Sequence, residues 1–343
     1  MTVLDEPPPH VAPPNRAMAS FRHGRVADIL EHYGLILIFG VMIAVFGLWS
    51  KTGPVFLSGA NLRAIVSNQM VLLVVAVAAM LPLSCGYFDL SPGAGTGTAA
   101  IATATIMSRF HQSPALAIIC GILVGALIGS VNGLLIAKFK FSAIIVTLAM
   151  STALTGLDNW YTGGGTIGNI PLSMQNFGSL NWLGIPRLAF VVVPLLVLVW
   201  YVEDWTPLGR YQRAIRSASR SARLVGIAVD RVLLLSFVSA GALAGIAGVL
   251  LCAQSASADA TTGPSMLFPA LTAVFLGATA IRPGRINTPG TVVGVFFIAF
   301  SVSGLTLAGA NSWVNDVFDG VALFVAGGLA TVFSRQRGAR SIL

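Results

Sequence analysis

Apolar runs separated by short polar connections carry this chain from Tyr33 almost to its C-terminus. Ten such runs stand out, at about 33–50, 64–82, 92–107, 114–137, 141–158, 187–202, 232–252, 265–280, 289–309 and 317–334. A bilayer core of ~30 Å takes ~20 residues of helix, because a helix rises ~1.5 Å per residue and satisfies its own backbone hydrogen bonds in hydrocarbon. The pattern predicts an all-α polytopic membrane protein with about ten transmembrane helices. Little chain remains outside these runs, so no soluble catalytic domain is expected. Residues 31–335 form the transmembrane domain, with a cytoplasmic loop at about 203–231. Residues 1–30 are expected to be a disordered cytoplasmic tail, since their start, MTVLDEPPPHVAPPNR, is proline-rich and unlike a signal peptide. Residues 336–343 form a short C-terminal tail.

Composition supports the membrane reading: 55% of residues are hydrophobic, 9% are charged, and the mean hydropathy is +0.84. Soluble chains carry roughly 25% charged residues. The formal net charge of +8 does not point to nucleic acid, because the positive residues sit at the ends of apolar runs. With the N-terminus in the cytoplasm, only Lys51, Arg63, Arg109 and Arg187 of the twenty Lys and Arg residues fall outside. That asymmetry requires an even number of spans and places both termini inside. Cys85, Cys120 and Cys252 are odd in number and lack metal-ligand spacing, and His10, His23, His32 and His111 lie outside the runs. Neither metal nor redox chemistry is expected. No phosphate-binding G-x-x-x-x-G-K-[ST] loop and no H-E-x-x-H occur, so any ATP is handled by another polypeptide.

Within the runs, small and polar residues suggest how helices meet. The stretch YFDLSPGAGTG, from Tyr87, predicts a helix start with Ser91 as cap and Pro92 in the first turn. Asp89 reads as a cap or structural contact at the cytoplasmic end. Gly93, Gly95 and Gly97 clear side-chain bulk, so this span is expected to be buried. Gly121, Gly125, Gly129 and Gly133 repeat every four residues along one helix face, a groove suited to close packing or to sliding. Gly241 with Gly245, and Gly290 with Gly294, repeat the device. Candidate pathway residues are Asn68, Gln69, Asn132, Thr147, Ser151 and Thr155; helix-to-helix hydrogen bonding competes as their role. At the outer ends, Asp158, Trp160, Trp313 and Asp316 offer groups where an external protein could dock, although the tryptophans also suit a membrane interface. The spans hold almost no ionisable residues near their centres, which weighs against an ion-coupled carrier but leaves it as an alternative.

The segment GRYQRAIRSASRSARLVGIAVDR, from Gly209, concentrates positive charge between two apolar runs. As a helix it places Tyr211, Ala214, Ile215, Ala218 and Ala222 on one side and Arg210, Arg213, Arg216, Arg220 and Arg223 on the other, with Gly226 leading to the next span. The small, alanine-rich face suits a protein groove better than lipid. A topology signal and contact with anionic headgroups are the competing explanations.

Four stretches together resemble the permease subunits of bacterial ATP-binding-cassette sugar importers of the ribose type. They are GYFDLSPG from Gly86, NGLLIAKFKFSAIIVTLAM from Asn132, AIRSASRSARLVGIAVDR from Ala214 and GATAIRPGRINTPGTVVG from Gly277. The similarity runs from about residue 35 to 335. It implies two permease chains, either two copies or this chain with a paralogue, in the bacterial inner membrane. It also implies cytoplasmic ATPase subunits that bind ATP and magnesium, an extracytoplasmic sugar-binding protein, and no cofactor in this chain itself. The arginine-rich helix would then be the coupling helix seated on the ATPase. Arg216-Ser217-Ala218 departs from the family's Gly-x-Asn, which bears on the fit to that partner. A branched-chain amino-acid permease of the same superfamily is the nearest alternative.

Overall fold

The computed structural model describes residues 25–336 of the 343. Residues 1–24 and 337–343, which hold most of the two expected tails, lie outside that range. In chain order the helices are α1 (Arg25–Leu48), α2 (Gly53–Phe56), α3 (Gly59–Ser84), α4 (Pro92–Ser108), α5 (Pro114–Ala137), α6 (Ala143–Thr162) and α7 (Leu172–Ser179). After a hairpin of β1 (Asn181–Trp182) and β2 (Ile185–Pro186) come α8 (Ala189–Trp205), α9 (Pro207–Leu224), α10 (Val229–Ser255), α11 (Thr262–Ser265), α12 (Leu267–Gly277), α13 (Thr288–Ala308) and α14 (Ser312–Gln336). Nine of the predicted apolar runs coincide with helices of 17 residues or more, whereas the run at about 265–280 holds only the 11-residue α12. By length and apolar composition alone, α3, α5, α10 and α13 are long enough to cross a membrane, and α8 with α9 would make a fifth only if that pair, bent by 64°, were a single span. The first helix starts at Arg25, inside the segment expected to be a disordered tail.

Helix ends follow local chemistry. Ser58, Ser113 and Asn287 adopt extended backbone, and each side chain accepts the N–H three residues on. Proline occupies the first turn of α4, α5 and α13, where a missing N–H costs nothing. The left-handed Gly163 and Gly309 close α6 and α13. Between β1 and β2, Leu183 and Gly184 both take positive φ, the geometry of a two-residue hairpin turn.

At the centre α10 packs on α5, α4 and α3. Val71, Val74, Val75, Ala76, Ala78 and Met80 of α3 are fully or almost fully buried, as are Phe237, Ala240, Ala247 and Cys252 of α10. Helix α4 is buried along most of its length, as its glycines imply. Gly93 and Gly97 lie under the short α11, where a Cβ on Gly93 would stand 3.0 Å from the Gly263 carbonyl and from Leu267 Cβ. The α5 glycines face α10: a methyl group on Gly125 would overlap the Gly241 carbonyl and the backbone of Gly245, and one on Gly129 would overlap the Phe237 carbonyl. The contact is backbone against backbone, close enough for dispersion to hold helices together without help from water. Gly290 and Gly294 of α13 press in the same way against Gly277 and Ala273 of α12.

Candidate functional site

The arginine-rich helix begins where Thr206 precedes Pro207. A proline disfavours the helical region for its predecessor, and Thr206 is extended (φ −97°, ψ 163°), so α8 ends and α9 departs at an angle. Gly209 lies so close to the Glu203 backbone that a side chain there would collide with it. Gln212 is buried and donates from Nε2 to Ser236 Oγ of α10 at 3.0 Å. Arg213 donates to the Glu203 carbonyl at 2.8 Å, and Arg216 donates to the Leu83 carbonyl in the last turn of α3 at 2.7 Å. Such terminal carbonyls lack helical partners and carry the negative end of the helix dipole, which makes them good seats for a guanidinium.

This geometry corrects the two-sided helix read from the sequence. Ile215 and Ala222 do face inward, with Gly209 and Gln212, but Tyr211 is exposed, and Arg213 and Arg216 turn towards the spans. Two causes are visible. The helix is broken at Ala218 (φ −158°, ψ 85°), so a single regular wheel does not describe it. Arginine's long aliphatic stem also lets a charge reach a buried carbonyl. Arg210, Tyr211, Arg220 and Arg223 remain exposed, with Leu224 at 85% and Val225 at 76% exposure, while Ala214 and Ala218 are half-buried. Gly226 takes φ +87°, and the N–H groups of Gly226 and Ile227 return to the carbonyls of Arg223 and Ala222, ending the helix. Asp230 then pairs with Lys140 at 2.6 Å and with Arg223 at 2.5 Å.

A second polar cluster joins α4, α5 and α6. Asp89 Oδ1 accepts from the Ser91 backbone N–H at 2.9 Å and from its hydroxyl at 2.6 Å. Ser91 Oγ in turn accepts from Asn132 Nδ2 at 2.9 Å, and Thr147 Oγ1 accepts from the Leu90 N–H at 3.1 Å. Ser91 therefore makes no side-chain cap to α4, contrary to the sequence reading. Its hydroxyl proton goes to a carboxylate, a stronger acceptor than a neutral oxygen. Asn132 and Thr147 are completely buried; Asn132 donates to Ser91 through Nδ2, while its Oδ1 has no hydrogen-bond partner. Of the other pathway candidates, Asn68 is exposed on α3, and Gln69, Ser151 and Thr155 are half-buried.

At the opposite end Asp158 is buried and accepts from Thr98 Oγ1 of α4 at 2.8 Å, so its carboxylate turns inward instead of presenting itself for docking. It borders a cavity of about 540 Å³ between α4, α5 and α6 that Thr105, Trp160 and Tyr161 also line. Trp160 and Trp313 are exposed, and the side chain of Asp316 lies outside the described residues. Among the described residues no cluster of His, Cys, Asp and Glu could hold a metal ion.

A family model described as branched-chain amino acid transport system / permease component matches residues 61–327. The chain belongs to this permease family. Among its relatives, the ribose import permease protein of Bacillus subtilis (strain 168) is 33% identical over 290 residues, covering 84% of this chain and 89% of the relative. The ribose import permease protein of Escherichia coli (strain K12) is 30% identical, covering 89% and 95%. The fructose import permease protein of Rhizobium meliloti is 28% identical, covering 85% and 81%. No solved structure matches the permease.

One element of the permease escaped the sequence reading. Glu203, at the end of α8, is buried and accepts from Ser84 Oγ of α3 at 3.1 Å and from Thr288 Oγ1 of α13 at 2.8 Å. Its neighbour Asp204 pairs with Arg282. The only signal in the sequence is a carboxylate just past the end of the apolar run at 187–202, and its partners lie 119 and 85 residues away.

Proposed function

We propose that this permease is the membrane-spanning subunit of an ATP-binding-cassette importer that moves a monosaccharide or related polyol by alternating access. The observation that carries the reading is α9: a charged helix whose inner face is tied to α3, α8 and α10, and whose outer face presents Arg210, Arg220, Leu224 and Val225 unpacked. A helix held by several spans yet open on one side is suited to receive force from a docked ATPase and pass it to the membrane helices. In this reading ATP and magnesium belong to that partner, and this chain holds no cofactor. A second permease chain and an extracytoplasmic binding protein complete the transporter in the bacterial inner membrane.

Ten spans with both termini cytoplasmic fit the run of helices and the inward bias of Lys and Arg. The pathway runs along the accessible polar positions of α3 and α6, Asn68, Gln69, Ser151 and Thr155, where this chain meets its companion. Trp160 and Trp313 are the outward groups for the binding protein. The similarity to ribose and fructose import permeases favours sugar over branched-chain amino acid. Uptake by proteoliposomes holding the complete transporter tests this: ATP-dependent accumulation of labelled ribose, arabinose or fructose supports it. Accumulation of leucine and none of the sugars would transfer the reading to amino acids, and uptake driven by an ion gradient without ATP would end it.

A further inference from the structure

Glu203 stands where four helices converge. Its carboxylate joins Ser84, the last residue of α3, to Thr288, the first residue of α13, by accepting both hydroxyls. Its main chain belongs to the other side of the same junction: the carbonyl accepts from Arg213 of α9, and the backbone is the surface on which Gly209 of α9 sits without room for a side chain. The Thr206-Pro207 break lies one turn beyond, so α8 and α9 are not one rigid rod and can change angle about this point. Arg216, bonded to the Leu83 carbonyl, gives α9 a second hold on the end of α3.

We infer that Glu203 is the positioning residue through which a displacement of α9 reaches α3 and α13 together. Motion of α9 acts on the Glu203 backbone through Arg213 and Gly209. The carboxylate, buried and held by two hydroxyls from different helices, moves the ends of both spans with it. A buried carboxylate with both oxygens engaged resists separation from its partners, because leaving it unpaired in a dry site is unfavourable. The same contacts explain why a carboxylate stands here and not an apolar residue, which would fill the space but grip neither hydroxyl.

This inference rests on the importer reading, and its test separates the two. The complete transporter, with its ATPase and binding protein, is reconstituted in proteoliposomes, and labelled ribose, arabinose or fructose uptake is measured with ATP hydrolysis in the same vesicles. Glu203→Ala is expected to hydrolyse ATP at near the wild-type rate while moving at least tenfold less sugar per ATP. Glu203→Gln keeps the shape and can still bond both hydroxyls, and is expected to retain at least half the wild-type ratio. The pair Ser84→Ala with Thr288→Val removes the grips and leaves Glu203 in place, and is expected to reproduce the loss; it also decides the matter if Glu203→Ala fails to assemble. An unchanged sugar-to-ATP ratio in Glu203→Ala, or in the Ser84→Ala, Thr288→Val pair, overturns the inference while the importer reading stands. A wild-type transporter without ATP-driven uptake of any of these sugars overturns both.

Discussion

Adding one methyl group at Gly125 probes the packing that holds the bundle together. An alanine Cβ there would stand 2.6 Å from both the Cα and the N of Gly245 and would overlap the Gly241 carbonyl. All three are backbone atoms, so no rotamer change relieves the conflict, and α5 must move away from α10 by roughly 1 Å. A gap of that size forfeits a quarter to a half of the dispersion attraction of every contact it opens. Gly121, Gly129 and Gly133 share the same face, so the loss spreads along the helix. Overpacking of this kind costs about 1–3 kcal/mol. At about 2 °C per kcal/mol for a long chain, the detergent-solubilised protein should melt lower by about 2–6 °C, read by fluorescence-detected size exclusion after heating. Gly156→Ala is the control: nothing lies within 4 Å of its added methyl, and alanine is favoured over glycine in a helix by up to about 1 kcal/mol. If Gly125→Ala melts as high as Gly156→Ala, the close α5–α10 contact is not present and the packing argument fails.

Three further expectations follow from contacts of different kinds. Arg216→Ala removes a charged hydrogen bond to a half-buried carbonyl and should destabilise by about 1.5–3 kcal/mol, whereas Arg220→Ala, on the exposed side, should leave the melting temperature within about 1 °C of wild type; equal effects would contradict the inward turn of Arg216. Asn132→Leu breaks the tie to Ser91 and should cost about 1–3 kcal/mol without altering which sugar is taken up, and a changed sugar preference would return Asn132 to the pathway. Asp259 lies between α10 and α11, where partial burial tends to raise its pKa but hydrogen bonds from the hydroxyls and N–H groups of Thr262 and Thr261 outweigh it and hold the carboxyl at about 2, against an ordinary 3.8. Because the folded value is the lower one, the group contributes stability above pH 3.8 that fades as pH falls towards 2; the stability difference between wild type and Asp259→Asn should shrink over that interval, and a difference independent of pH would refute it.

The apolar runs were legible because burial in lipid demands long, nearly uncharged stretches, and the helices follow them. The glycine face of α5 was legible for a related reason: a four-residue repeat leaves a continuous backbone groove, whatever lies opposite. Polar contacts were harder to read. Ser91 has the residue type of a cap and stands at the right position, yet Asp89, two residues away, claims its hydroxyl and Asn132, 41 residues on, claims its oxygen. Local rules do not foresee a partner brought in by the tertiary fold. Helix α9 misled in another way: a wheel drawn through Ala218 assumes a regularity that the backbone breaks, and charge alone does not reveal whether an arginine faces water or a helix end. Asp158, at a span terminus, reads as outward from sequence, but Thr98 gives it a partner inside the bundle. Glu203 is not legible in the sequence because its contacts are with Ser84 and Thr288, which no local pattern connects.

Purification of the permease from its native cell in mild detergent, with mass spectrometry and an ATPase assay on the proteins that accompany it, tests the central claim most directly. The account predicts an ATPase in fixed proportion, lost when the exposed Arg210 and Arg220 are changed to Glu, while the protein itself stays folded because neither residue holds the bundle together. A permease that comes alone from cells transporting through it, with uptake indifferent to ATP, would contradict the account and favour an ion-coupled carrier.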